Sequence, residues 1–167
     1  MASYASTDCH RAEEVIGTSM IKFVGVTALM VLGLVSASSA RKEETLEELV
    51  ARAEAAKVDQ QPDLYMQAAE RQHRAALDAL KAERWDEFHA DLKDVANYCD
   101  KAHKAAIASG KKVKNTEIKI RRISTHLRET KMNVSVDDQP AVQAIIDQLE
   151  AFRTELLRSM FGGKRND

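Results

Sequence analysis

The stretch from Trp85 to Gly110, WDEFHADLKDVANYCDKAHKAAIASG, decides the fold class. Apolar residues recur in it at alternating steps of three and four, namely Trp85, Phe88, Leu92, Val95, Cys99, Ala102 and Ala106. This spacing places them on one face of an α-helix and is typical of helices that pack closely against neighbours. Gly110 follows the last periodic residue, where helices commonly end. The sequence therefore predicts a long amphipathic helix ending at Gly110.

The same spacing predicts four more helices, over 41–58, 62–82, 111–133 and 140–161. Thr45 and Glu48 have the spacing of a capping box for the first of them, and Asp137 and Asp138 are expected to cap the last. With only 6 Gly and 2 Pro, the chain lacks the punctuation of turn-rich β folds. Short links between helices favour antiparallel neighbours. We therefore expect an all-α fold, an antiparallel up-and-down helical bundle of four core helices plus one N-terminal helix.

A short apolar run precedes this domain. Residues 23–35 read FVGVTALMVLGLV, between Lys22 and the small residues Ser38-Ser39-Ala40. A membrane-spanning helix needs about 20 apolar residues, so the run fits a signal peptide better, with an uncleaved anchor as the alternative. We predict an upstream extension over 1–19 that is disordered, translation from Met20, a signal peptide over 20–40, a bundle over 41–161 and a flexible tail over 162–167. The protein is then exported through the secretory route, with a periplasmic or extracellular location and no stable membrane span after cleavage.

The charge and cysteine content limit the partners of the exported domain. Residues 41–167 carry 23 basic and 23 acidic side chains, a balance that argues against a nucleic-acid-binding protein. Cleavage after Ala40 removes Cys9 and leaves Cys99 alone, so no intramolecular disulfide is expected to support the fold. Helix packing must supply the stability.

One local pattern points to a cofactor. The run Cys99-Asp100-Lys101-Ala102-His103 resembles the C-x-x-C-H haem-attachment motif of c-type cytochromes, with Ala102 in place of the second cysteine. The resemblance implies haem, with His103 as its axial ligand and Cys99 as a single thioether anchor. We favour a second interpretation, in which Cys99 is a small core residue and His103 lies at the edge of the apolar face with one nitrogen in water. On that interpretation the protein holds no cofactor.

The histidines suggest a second, weaker pattern. His89 and His103 are 14 residues apart on one helix, about 21 Å, and cannot share an ion. A fold-back at Gly110 brings His126 towards Cys99 and His103, which makes a zinc site of these three residues the metal alternative. His73 lies on an apolar face, where we expect a core histidine that donates to a carboxylate or carbonyl. A ligand or pH-sensing role is the alternative for His73.

The predicted fourth helix is basic, with eight basic and two acidic residues between Lys111 and Lys131. Five of the basic residues are expected opposite its apolar face, namely Lys111, Lys114, Arg121, Arg122 and Arg128. They predict either a solvated surface or an anion-facing surface for an acidic partner protein or envelope lipid.

The sequence contains no G-x-S-x-G, no H-E-x-x-H and no glycine-rich phosphate loop. We therefore expect a non-enzymatic exported protein that binds another protein or an envelope component. The alternative is a helical bundle that holds haem or a metal near Cys99 and His103.

Overall fold

The computed structural model describes residues 44–162, and all regular elements in that range are α-helices. They are α1 (Leu46–Ala55), α2 (Gln61–Lys81), α3 (Trp85–Ser109), α4 (Val113–Lys131) and α5 (Gln139–Phe161). The predicted all-α fold of four long helices and a shorter N-terminal helix is confirmed. The predictions for residues 1–40 and for the tail beyond Gly162 lie outside the described residues.

Each helix packs against the next one in the sequence. α2 packs against α1, α3 and α4, whereas α5 packs against α3 and α4. Within the described range, the backbones of α2 and α5 do not approach each other, so these two helices lie on a diagonal of the bundle. α1 lies outside this four-helix arrangement along α2, and its Leu49 and Ala53 are fully buried.

The periodic face of α3 supplies the centre of the core. Its predicted residues from Phe88 to Ala106 are all buried, together with inward residues of α4 and α5 such as Ile120 and Leu149. The prediction for Trp85 is wrong, because this side chain is 39% exposed at the first position of the helix. Its ring packs edge-on against Phe88, with ring centroids 6.3 Å apart. Trp85 therefore covers the end of the core.

The helix ends explain why so little glycine is needed. Thr45 and Glu48 form the predicted capping box, but α1 is shorter than predicted and ends at Ala55. α2 ends at a turn in which Glu83 has a φ of 57° and the Arg84 N–H donates to the Ala79 carbonyl (2.9 Å). This six-residue closure is the Schellman motif, in which Glu83 takes the position usually held by glycine. Gly110 has a φ of 64° and ends α3 as predicted.

The start of α5 differs from the prediction. Asp138 is the N-terminal capping residue by position, but its side chain makes no capping hydrogen bond to the helix. The carboxylate instead accepts from Ser135 Oγ (2.6 Å) and lies 3.1 Å from Nε2 of His89. The Asp138 carboxylate therefore holds the α4–α5 loop against α3.

Candidate functional site

Cys99 lies in the centre of the core and is fully buried. Burial raises the pKa of its thiol, and the negative charge of Glu70 raises it further. A thioether bond needs an accessible thiol, and a thiolate is the reactive form of cysteine. The structure therefore places Cys99 where the core-packing interpretation expects it, without the access that a thioether bond needs.

His103 is also buried, so the prediction of one nitrogen in water is wrong. Its exposed fraction is 4%, and its ring stacks on Phe152 of α5 at a centroid distance of 5.1 Å. Nε2 lies 2.8 Å from a carboxylate oxygen of Glu155, although neither ring nitrogen has a well-aligned hydrogen-bond partner. Since one ring face is covered and Nε2 meets a carboxylate, the geometry does not favour His103 as a haem ligand.

The structure brings His126 to a different partner from the one expected. His126 is exposed on α4, and its ring stacks on His73 of α2 with centroids 5.7 Å apart and ring planes at 23°. Cys99, His103 and His126 are not assembled, and residues 44–162 contain no group of three or more His, Cys, Asp or Glu side chains arranged to hold a metal. The predicted site of Cys99, His103 and His126 was based only on the antiparallel packing of α3 and α4. It missed that the His126 flank of α4 faces α2.

A periodic signal for this flank was present in the sequence. Asn115, Lys119 and His126 follow one another at steps of four and seven, which puts them on one edge of α4. In the structure each contacts α2: Asn115 donates to Asp63 (2.9 Å) and Lys119 lies 3.8 Å from Glu70. The pair of His73 and His126 continues this row of contacts along the α2–α4 interface.

His73 is buried as predicted, with an exposed fraction of 6%. Burial lowers the pKa of its imidazole to about 4, and the nearby His126 adds to this effect. The expected hydrogen bond to a carboxylate or carbonyl is not formed within the described residues, and Nε2 is left without a partner. His73 therefore remains a neutral imidazole at pH 7 with an unsatisfied buried nitrogen.

The five basic residues predicted to face an anion do not form one free surface. Three of them contact carboxylates: Lys111 lies 3.5 Å from Asp59, Arg121 lies 3.9 Å from Glu117, and Arg128 lies 2.7 Å from Glu150. Within residues 44–162, only Lys114 and Arg122 of the five are exposed without an ion pair. The anion-facing surface is thus reduced to two positive charges.

Arg128 belongs to a polar cluster between α4 and α5. Arg153 donates from Nε and Nη2 to one oxygen of Glu117 (3.0 and 2.9 Å) and from Nη1 to Glu150 (2.6 Å). Burial acts to raise the pKa of Glu150, but the Ser124 hydroxyl and the charges of Arg153 and Arg128 outweigh it and lower the pKa. This cluster is internally satisfied and connects the two helices.

A groove lined by apolar and polar side chains lies between α3 and α5. We call it the α3–α5 groove; two adjoining concavities of about 530 and 270 Å³ form it, and they share Lys93, Ala144 and Ile145. Ala96 and Phe152 line the larger concavity, together with the polar side chains of Asn97, Asp100 and Gln148. His89 and Leu92 line the smaller one. The groove has small residues on its floor and polar side chains at its rim.

None of the helices within residues 44–162 combines the length and apolar character that crossing a bilayer requires. Comparison of the chain with protein-family models, with curated proteins and with solved structures finds no match.

Proposed function

We propose that this protein is an exported, non-enzymatic interaction module that binds an amphipathic helix of a partner protein in the α3–α5 groove. The observation that carries the proposal is that one amphipathic helix of the chain, α1, already packs on an outer surface of the four-helix bundle. α1 is a ten-residue amphipathic helix that lies along α2, buries Leu49 and Ala53, and reaches α3 through an ion pair between Glu54 and Lys101 (3.3 Å). In the described part of the chain, the α3–α5 groove has no such helix.

The chemistry of the groove restricts the partner. Alanines at positions 96 and 144 let another backbone approach closely, and Phe152 and Ile145 offer apolar surface to an i, i+3, i+4 pattern. Lys93 is exposed at the rim and makes no ion pair within residues 44–162, so an acidic side chain on the bound helix would complement it. We expect a helix with a small apolar face flanked by acidic residues.

Photo-crosslinking tests the groove directly. A photoreactive residue at Gln148 should give an adduct with one partner in intact cells, mapped to an amphipathic helix by mass spectrometry. Ala144→Arg places a charge and extra volume in the groove at an exposed position and should abolish the adduct. Ala75→Arg is the matched control, since Ala75 is exposed on α2, which does not contact α5. Equal adducts in the two variants would contradict the proposal.

The same crosslinking experiment distinguishes binding in the α3–α5 groove from the alternative, binding to an anion-facing surface on α4. Lys114→Glu combined with Arg122→Glu reverses the two exposed charges of α4 and leaves the α3–α5 groove unchanged. If the partner is an acidic protein or lipid recognised by α4, this double variant loses the adduct while Ala144→Arg keeps it. We expect the reverse result.

Export is supported by the sequence of residues 20–40, in which an apolar run is followed by small residues before Arg41. N-terminal sequencing of the protein from the exported fraction should begin at Arg41. A mature N-terminus upstream of Arg41 would contradict cleavage after Ala40 and favour the anchored form.

A further inference from the structure

The paired imidazoles of His73 and His126 are not needed for the groove, and they lie at a different interface. They come from different helices, α2 and α4, and are separated by 53 positions in sequence. We infer that the two histidines form a binding site for one divalent transition-metal ion that prefers imidazole ligands, namely Zn²⁺, Ni²⁺ or Cu²⁺. Water completes the coordination on the exposed side, where His126 meets the solvent.

The separation of the rings fits this use. Two imidazoles that share an ion at the usual metal–nitrogen distance of about 2.0–2.1 Å have ring centroids about 5 to 6 Å apart. The centroids of His73 and His126 are 5.7 Å apart. His126 is exposed, so core packing does not hinder rotation of its ring from the stacked position towards an ion at His73.

The burial of the His73 side chain is an independent argument for a metal ion at this position. Its Nε2 is buried and has no hydrogen-bond partner, an arrangement that is unfavourable unless something else satisfies the atom. A metal–nitrogen bond would satisfy it. Metals bind the neutral imidazole, and burial keeps His73 in that form at neutral pH.

The charges around the pair admit a cation. Glu70 lies one turn before His73 on the same side of α2, and its carboxylate faces Lys119 of α4 at 3.8 Å. The two charges offset each other, so a metal ion meets no net positive field from this contact. Imidazole donors select Zn²⁺, Ni²⁺ and Cu²⁺ over Mg²⁺ and Ca²⁺, which prefer oxygen ligands. With two protein ligands, we expect weaker binding than at a four-ligand structural zinc site.

Metal-dependent stability of the full chain tests the inference. The protein is stripped with a chelator and dialysed, and its Tm and calorimetric titration are recorded at neutral pH with Zn²⁺ and with Ni²⁺. We expect one ion per chain and a rise in Tm, because an ion that binds only the folded state stabilises it. His126→Ala should remove the rise in Tm and weaken binding by more than about tenfold, since even an outer-shell partner of a metal ligand is worth that much.

Two matched variants make the result specific. His126 is exposed, so His126→Ala should fold normally, and its Tm without metal verifies this. His89→Ala on α3 should keep the metal-dependent rise in Tm. The inference is overturned if the wild-type Tm does not respond, if His126→Ala responds like wild type, or if His89→Ala abolishes the response.

Discussion

His73 illustrates how burial changes the chemistry of a single side chain. The pKa of its imidazole is about 4 in the folded protein against 6.5 for the free group, so between these values only the unfolded chain binds the proton. The free energy of unfolding must then fall as the pH drops from 6.5 towards 4, because proton binding favours the unfolded chain. Above pH 6.5 the imidazole is neutral in both states and this loss of stability is absent. The shift corresponds to a loss of about 3 kcal/mol at most.

We therefore predict that His73→Leu weakens the dependence of stability on pH. Urea unfolding in the presence of EDTA, near neutral pH and at about pH 4.5, should show a smaller difference in the variant than in the wild type. Ala75→Leu is the control, because Ala75 is exposed on the same helix and carries no titratable group, so this variant should keep the wild-type pH dependence. Identical pH dependence in wild type and His73→Leu would refute the role of burial at this residue.

The ion pair of Glu117 and Arg153 is expected to contribute to stability because both side chains are largely buried. Glu117 is 5% exposed, and two nitrogen atoms of Arg153 donate to it. Arg153→Leu leaves the buried Glu117 carboxylate with only the longer contact to Arg121 (3.9 Å), and breaking a buried pair costs about 3 kcal/mol in comparable cases. Chemical denaturation should show this loss, and Glu117→Leu combined with Arg153→Leu should recover much of it, because no buried charge then remains. A double variant as unstable as Arg153→Leu would contradict this account.

At this scale the sequence predicts burial better than it predicts contacts. The periodicity of α3 correctly marks Phe88, Cys99 and Ala106 as buried, since burial depends on which side of one helix a residue occupies. It does not reveal that His103 lies against Phe152 or that His126 lies against His73, because these contacts depend on the rotation of two helices about their axes. Candidate site residues are defined by contacts of the second kind.

Two helices, α2 and α3, end at turns that contain a residue with positive φ. Matched substitutions at these two turns can test the cost of that conformation. Gly110 and Glu83 both have positive φ, 64° and 57°, but only the first is glycine. A Cβ at Gly110 meets no atom within 4 Å, so Gly110→Ala changes the backbone preference without a steric clash. Conversely, Glu83 is exposed and makes no side-chain ion pair within the described residues, so Glu83→Gly relieves strain without a lost contact.

We predict opposite effects for these two substitutions. Gly110→Ala should lower the free energy of unfolding by about 1 kcal/mol, and Glu83→Gly should raise it by up to about 1 kcal/mol. Thermal or urea unfolding of both variants measures the two signs. Lys112→Gly is an informative third case, because Lys112 also has a positive φ but lies 3.0 Å from Asp63, so the gain should be smaller. Equal signs for Gly110→Ala and Glu83→Gly would rule out backbone strain as the cause.

The helix boundaries show what local sequence determines. Gly110, the capping box of Thr45 and Glu48, and the early prolines of α2 and α5 are local signals, and the helices end or begin at them. The acidic cap at Asp138 failed as a prediction because Ser135 and His89 compete for its carboxylate, and His89 belongs to another helix. Local rules therefore hold until a distant side chain offers a better partner.

At the scale of the whole molecule, the helices do not support one another equally. α3 packs against α2, α4 and α5, whereas α1 packs chiefly against α2 and is only ten residues long. A helix of this length is not stable alone in water, so its stability comes from the buried contacts of Leu49 and Ala53 and from its capping box. α1 should therefore open in a local fluctuation that leaves the four-helix bundle intact.

Native-state hydrogen exchange measures this difference directly. Amides of α1 should exchange through openings of lower free energy than the amides of α3, which should exchange only on global unfolding. Thr45→Ala removes the hydroxyl that accepts from the Glu48 N–H and should lower the opening free energy of α1 by about 1 kcal/mol. The exchange of α3 amides should not change in this variant, because the bundle does not use that cap. If Thr45→Ala accelerated exchange in α3 as much as in α1, the two would unfold as one cooperative unit. The comparison of α1 with a partner helix docked on the outside of a finished bundle would then lose its physical basis.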